Sequence, residues 1–186
     1  MKFLFTVYQW LIAGPIILVI TILTALTTII GSLLGFKGFS GYWPPHIWSW
    51  CICRLWFVRV KVKGRENIQK GQSYVFVANH QGAFDIWAIS GFLGHNFKWL
   101  MKKSLEKLPL VGFACKRAGY VFVDDSSLGG IKNTIEEAEK TLRNGMSVVI
   151  FPEGSRSWDG RLTTFKRGAF MLAAEFKLPV VPITID

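Results

Sequence analysis

Two short segments of this chain carry residues whose types and spacing suit catalysis. In Asn79-His80-Gln81-Gly82-Ala83-Phe84-Asp85, a histidine stands five positions before an aspartate. If His80 ends a strand and Asp85 opens a helix, the carboxylate can fold back onto the imidazole. Such a pair fixes the ring tautomer and stabilises the imidazolium formed when His80 accepts a proton. Alone, the spacing is a weak signal, because three histidines occur in the chain and aspartate is common enough to meet one by chance. The second segment is Phe151-Pro152-Glu153-Gly154-Ser155-Arg156-Ser157. Gly154 lets backbone approach a ligand, Ser155 and Ser157 can donate hydrogen bonds, and Arg156 offers a planar fork for a phosphate. Read alone, this segment is equally an ordinary polar turn with a surface arginine.

Both segments follow apolar runs that read as strands, which is where open α/β sheets place their ligands. The pattern predicts strands at Phe57–Val62, Ser73–Ala78, Phe97–Met101, Tyr120–Val123, Met146–Phe151 and Val180–Ile185. Helices are expected at Asp85–Leu93, Ser104–Arg117 with a break near Pro109, Leu128–Asn144 and Ala169–Phe176. In Leu128–Asn144, Ile131, Ile135, Ala138 and Leu142 share one face, and Gly145 stops the helix. Strands alternating with helices imply an α/β fold with a mainly parallel sheet flanked by helices.

A different kind of segment precedes this domain. No charged side chain occurs between Lys2 and Lys37, and Ile16–Leu34 is long enough to cross a hydrocarbon core of roughly 30 Å as a helix. Pro15 suits the first turn of that helix or a kink in a longer one. The apolar run exceeds a signal-peptide core of about 7–15 residues, so it reads as an anchor. Trp43–Phe57 follows, rich in tryptophan and flanked by Arg54, Arg59, Lys61 and Lys63. It reads as a helix lying on anionic lipid, with a core helix of the main domain as the alternative. The basic flank places the rest of the chain on the cytoplasmic face. The division is thus residues 1–58, membrane-associated helices, and residues 59–186, the globular domain.

Composition narrows the function classes. At 51% hydrophobic and 18% charged residues the chain is too apolar to be disordered. The net charge of +10 raises nucleic acid as a partner. No helix-turn-helix, zinc-finger or RNP-type pattern accompanies it, and anionic lipid and phosphorylated substrates account for the charge better. Cys51, Cys53 and Cys115 build no disulfide framework, and His46 beside Cys51 and Cys53 lacks the carboxylates of a metal site, so no metal is expected. The absence of a Gly-x-Ser-x-Gly elbow argues against a hydrolase.

Together, Asn79–Asp85 and Phe151–Ser157 behind an apolar N-terminal segment resemble the glycerolipid acyltransferases, most closely the 1-acyl-sn-glycerol-3-phosphate acyltransferase family. Two weaker blocks match: Lys102-Lys103-Ser104-Leu105 with Pro109, Gly112, Gly119 and Phe122-Val123-Asp124, and then Val181-Pro182-Ile183. The resemblance implies transfer of an acyl group from acyl-CoA or acyl carrier protein to the free hydroxyl of a lysophospholipid. His80 is then the general base and Asp85 its partner, and no cofactor is needed beyond the acyl donor. Lys102 is the candidate for stabilising the thioester oxyanion, with a solvated surface lysine as the alternative. Gly154 and Arg156 would hold the acceptor phosphate, with Ser155 supplying a hydroxyl and Glu153 shaping the loop. Lys166 and Arg167 add phosphate or carrier contacts, or form a solvated basic face.

The chain departs from the family pattern in three places. Asp125 stands where the family usually has an arginine, Ser155 replaces the commoner threonine, and members commonly continue past the fourth block. The last point implies a fragment or a short member. Asp125 keeps two alternatives open: the same chemistry on glycerol 3-phosphate or another lysolipid, and a non-catalytic lipid-binding relative. The sequence fixes no oligomeric state.

Overall fold

In the computed structural model, residues 2–124, 126–143, 145–157 and 161–186 are described. The expectations that fall on Asp125 and Asn144 lie outside the described residues. Five strands form one sheet: β1 (Val75–Ala78), β2 (Phe97–Lys102), β3 (Val121–Val123), β4 (Ser147–Ile150) and β5 (Val180–Ile183). Their order is β3-β2-β4-β1-β5, and every pairing is parallel. A parallel sheet needs cover on both faces, which the alternation of β1 supplies. Val75 and Val77 enter one core with Leu100, Val121 and Val148, while Tyr74, Phe76 and Ala78 enter another with Phe97, Trp99 and Val149.

Helices α5 (Ala83–Phe92), α6 (Val111–Arg117), α7 (Leu128–Arg143) and α8 (Gly168–Glu175) connect the strands. The crossovers β1–α5–β2 and β2–α6–β3 step the same way along the sheet, and right-handed connection puts both helices on one face. The two later crossovers step back, which puts α7 and α8 on the other. The side chains agree: Ile89 and Leu93 of the α5 connection join the Phe76 core, and Ala138, Leu142, Ala169 and Leu172 join the Val75 core.

Two expectations about elements need correction. No strand forms at Phe57–Val62. The Phe57 and Val58 N–H groups instead close the preceding helix, donating to the Arg54 and Cys53 carbonyls, with Phe57 left-handed at φ 57°. Beyond them Arg59 and Lys61 are exposed and Val60 is half-buried, but Val62 is exposed too. Among the described residues no strand pairs with the segment. On α7, Ile135, Ala138 and Leu142 face the core, whereas Ile131 is exposed.

The N-terminal segment is one apolar helical rod, Lys2–Leu33, long enough to cross a membrane. It comprises α1 (Lys2–Tyr8), a π turn (Gln9–Ala13) and α2 (Gly14–Leu33). The Gly14 N–H reaches back to the Gln9 carbonyl, so the wider turn accommodates Pro15, which has no N–H to donate and whose ring would crowd a regular helix. The packing of α2 reverses that of a helix in water. Its buried residues are Ala25, Thr28 and Ser32, while Ile16, Leu18, Val19, Ile22, Leu23 and Leu26 point outward. Small residues against protein and large apolar ones outside is how helices pack in lipid.

Helices α3 (Lys37–Ser40) and α4 (Trp43–Leu55) complete this layer. The helix α4 packs against α5, and α2 against α6. The helix α4 thus turns one face to the protein and one outward. Ser49, Ile52 and Cys53 are buried, while Trp43, Ile47 and Trp50 are exposed. At the crossing, Gly91 lets α5 approach so closely that a Cβ there would lie 2.9 Å from the Trp50 backbone nitrogen.

Candidate active site

All five strands end at one edge of the sheet, so the segments after β1, β2 and β4 meet there. His80 lies two residues past β1, and Asp85 is the third residue of α5. Asp85 Oδ2 lies 2.8 Å from His80 Nδ1 and also accepts the Gln81 and Gly82 N–H groups at 2.6 and 2.8 Å. Gly82 begins the helix in extended conformation, and Asp85 caps its orphan N–H groups from within the first turn. The five-residue spacing is thus a helix-capping geometry that also reaches the imidazole.

Electrostatics assign the roles. Burial pushes the Asp85 carboxyl up, but the hydrogen bonds from His80, Gly82 and Gln81 outweigh it and hold its pKa below the usual carboxylate value. An ionised carboxylate only accepts, so His80 Nδ1 is the donor, and in the neutral ring the lone pair lies on Nε2. The imidazole also lies flat on Phe151, which stacks in turn on Trp99 at 5.3 Å between centroids.

The residue that carries the imidazole is held by its main chain as well. Its N–H donates to Glu153 Oε1 at 3.0 Å, and its carbonyl accepts the Ser157 N–H at 2.8 Å. Asn79, next to it, exchanges two hydrogen bonds with the Ile185 backbone, at 2.9 and 2.8 Å.

The other expected site residues are placed as follows. Gly154, Ser155 and Arg156 are exposed on the turn after β4, with Gly154 left-handed at φ 74°. The Lys166 side chain covers Gly154, and its N–H donates to the Pro152 carbonyl at 2.8 Å. Lys102 is exposed at the end of β2, on the same edge of the sheet. Glu153, expected to shape the loop, is buried, and its carboxylate accepts the His80 and Thr163 N–H groups. Sequence reasoning missed Asn79, Phe151 and Thr163 as parts of the site. The first two sat inside the quoted segments, but Thr163, ten positions after Glu153, carried no local signal.

A deprotonated imidazole nitrogen with a fixed tautomer, beside a glycine turn and an arginine, can take a proton from an alcohol near an anion. The chain is similar to known proteins. The family model "Acyltransferase" matches residues 59–186. A chloroplastic 1-acyl-sn-glycerol-3-phosphate acyltransferase of Arabidopsis thaliana is 35% identical over 142 residues, covering 72% of this chain and 40% of its own. The human 1-acyl-sn-glycerol-3-phosphate acyltransferase alpha is 35% identical over 133 residues, covering 71% of this chain and 47% of its own. The chain thus spans about half the length of the curated relatives it matches. The crystal structure of the 1-acyl-sn-glycerophosphate acyltransferase PlsC from Thermotoga maritima aligns with a TM-score of 0.75 at 29% identity. That alignment covers 97% of this chain and 72% of the other.

Proposed function

We infer the reaction from a family premise: the chain belongs to the acyltransferase family, whose model matches residues 59–186. It transfers an acyl group from acyl-CoA or acyl carrier protein to the free hydroxyl of 1-acyl-glycerol-3-phosphate, giving phosphatidic acid. The observation that carries this reading is the His80–Asp85 pair, with Nε2 left as the free basic nitrogen.

In the mechanism, His80 Nε2 removes the hydroxyl proton as the oxygen attacks the thioester carbonyl carbon. The charge that develops on the carbonyl oxygen is met by Lys102. The carbon–sulfur bond then breaks, and the imidazolium returns its proton to the departing thiolate. Asp85 stabilises the imidazolium in between and keeps the ring oriented. No serine or cysteine nucleophile is required, so transfer is direct within a ternary complex. Gly154, Ser155, Arg156 and Lys166 bind the acceptor phosphate.

The outward-facing apolar side chains of α2 support attachment to a membrane, where a lysophospholipid resides. The basic residues Arg54, Arg59, Lys61 and Lys63 favour placing the active site on the cytoplasmic face. The test is an assay of purified protein with acyl-CoA and acyl carrier protein against lysophosphatidic acid, glycerol 3-phosphate and phosphodiester lysolipids, alongside His80→Ala. Transfer to lysophosphatidic acid that His80→Ala abolishes is expected. Transfer that survives His80→Ala overturns the mechanism, and transfer to no acceptor overturns the function.

A further inference from the structure

Glu153 sits in the segment expected to hold substrate, yet its carboxylate is engaged by protein. The residue is only 6% exposed. Oε1 accepts the His80 N–H at 3.0 Å, and Oε2 accepts both the Thr163 N–H, at 2.9 Å, and the Thr163 hydroxyl, at 3.0 Å. Because the Ser157 N–H also donates to the His80 carbonyl, the segment after β4 grips the main chain of His80 at both its polar groups. Thr163 lies three residues before Lys166, whose side chain covers Gly154.

We propose that Glu153 is a positioning residue, whose carboxylate ties the His80 main chain to Thr163. The base and the acceptor-facing segments Glu153–Ser157 and Thr163–Lys166 thereby hold one geometry. The chemistry asks for a carboxylate here. Three donors converge on two oxygens, and an amide would turn its NH2 group toward one of them. Burial pushes the Glu153 carboxyl up, but the bonds from Thr163 and His80 hold it lower, so it is the anion that accepts them. The kinetic consequence rests on the acyl-transfer reading. A small displacement of a catalytic group costs about 100-fold in rate, whereas ground-state capture of the acceptor depends on Arg156 and its basic neighbours.

The test combines kinetics with an independent readout. Glu153→Gln should lower kcat by about 100-fold and leave the acceptor KM within about 3-fold. Thr163→Val should lower kcat less, and Thr163→Ser, which keeps the hydroxyl, should restore it. Arg156→Ala should give the opposite split, raising KM. Hydrogen–deuterium exchange, which needs no turnover, should show peptides spanning 79–84 and 163–167 opening together in Glu153→Gln. A raised acceptor KM with unchanged kcat in Glu153→Gln, or faster exchange in only one of the two peptides, would overturn the proposal. If wild-type protein transfers nothing yet the two peptides still open together, the acyl-transfer reading fails and the positioning role stands.

Discussion

The imidazole of His80 lies on the ring of Phe151 with centroids 3.9 Å apart and planes within 11°. Stacking restricts the ring to rotation in one plane, and the bond to Asp85 fixes its angle in that plane. Each constraint supplies what the other lacks, so together they set the direction of Nε2.

From the stacking, Phe151→Leu should lower kcat while leaving both KM values unchanged. An aromatic pair is worth about 0.5–1.5 kcal/mol beyond its buried area, which corresponds to a loss of roughly 3- to 10-fold. Phe151→Tyr should retain most of the activity. Steady-state kinetics on the three proteins checks the order.

Asp85→Asn should be far more damaging. Asp85 Oδ2 accepts from His80, Gln81 and Gly82 alike, so an amide oxygen in its place keeps all three partners. What the exchange removes is the negative charge that stabilises the imidazolium. A hydrogen bond to a charged group is worth about 1.5–3 kcal/mol, so kcat should fall roughly 10- to 150-fold. The wild-type carboxylate, held below its ordinary pKa, contributes stability that is present above that ordinary value and lost as pH falls through the lowered one. Melting curves from pH 6 downward should therefore fall more steeply for wild type than for Asp85→Asn.

Lys98 gives a second pH dependence, away from the site. It lies in β2, is 6% exposed, and places its ammonium 5.8 Å above the Tyr120 ring. Burial lowers its pKa to about 8. The unfolded chain therefore holds a proton that the folded chain releases between about pH 8 and 10, so stability rises with pH across that window. Below it the buried charge costs up to about 3 kcal/mol, less the attraction of the ring. Lys98→Met should raise Tm at pH 7, and the gain should shrink toward pH 10. Thermal melts at both pH values decide it.

Gly91→Ala tests the union of the two layers. On helix propensity alone, alanine would stabilise α5 by about 1 kcal/mol. The new methyl would meet the Trp50 backbone nitrogen at 2.9 Å and Ser49 just beyond, and backbone cannot move aside cheaply. A net loss of about 1–3 kcal/mol is expected, together with faster proteolysis in the linker after α4. An unchanged Tm would show that α4 and α5 separate easily.

The sheet was legible because its strands are mostly apolar runs punctuated by turn residues, with β1 buried throughout and β5, at the edge, the most exposed. Phe57–Val62 misled because period-two alternation reports half-burial of an extended chain, and pairing needs a neighbour that no local pattern reveals. Lys98 was hidden for the same reason: a lysine between Phe97 and Trp99 reads as the exposed face of a strand, and only the helical layer above β2 buries it. Of the site, the His80–Asp85 geometry could be read because both residues belong to one turn. The contacts of Asn79 with Ile185 and of Glu153 with Thr163 join segments that meet only when the sheet closes.

That closure bears on how the protein is made. β1 is the first strand synthesised, yet its two ladder neighbours are β4 and β5, and Asn79 bonds to a residue 106 positions later. Contacts of such high sequence separation form late in folding. A nascent chain therefore holds His80 and Asp85 before the strands that support them exist. The turn that carries His80 gains its last backbone support only when the strand at Val180–Ile183 has left the ribosome and closed the sheet.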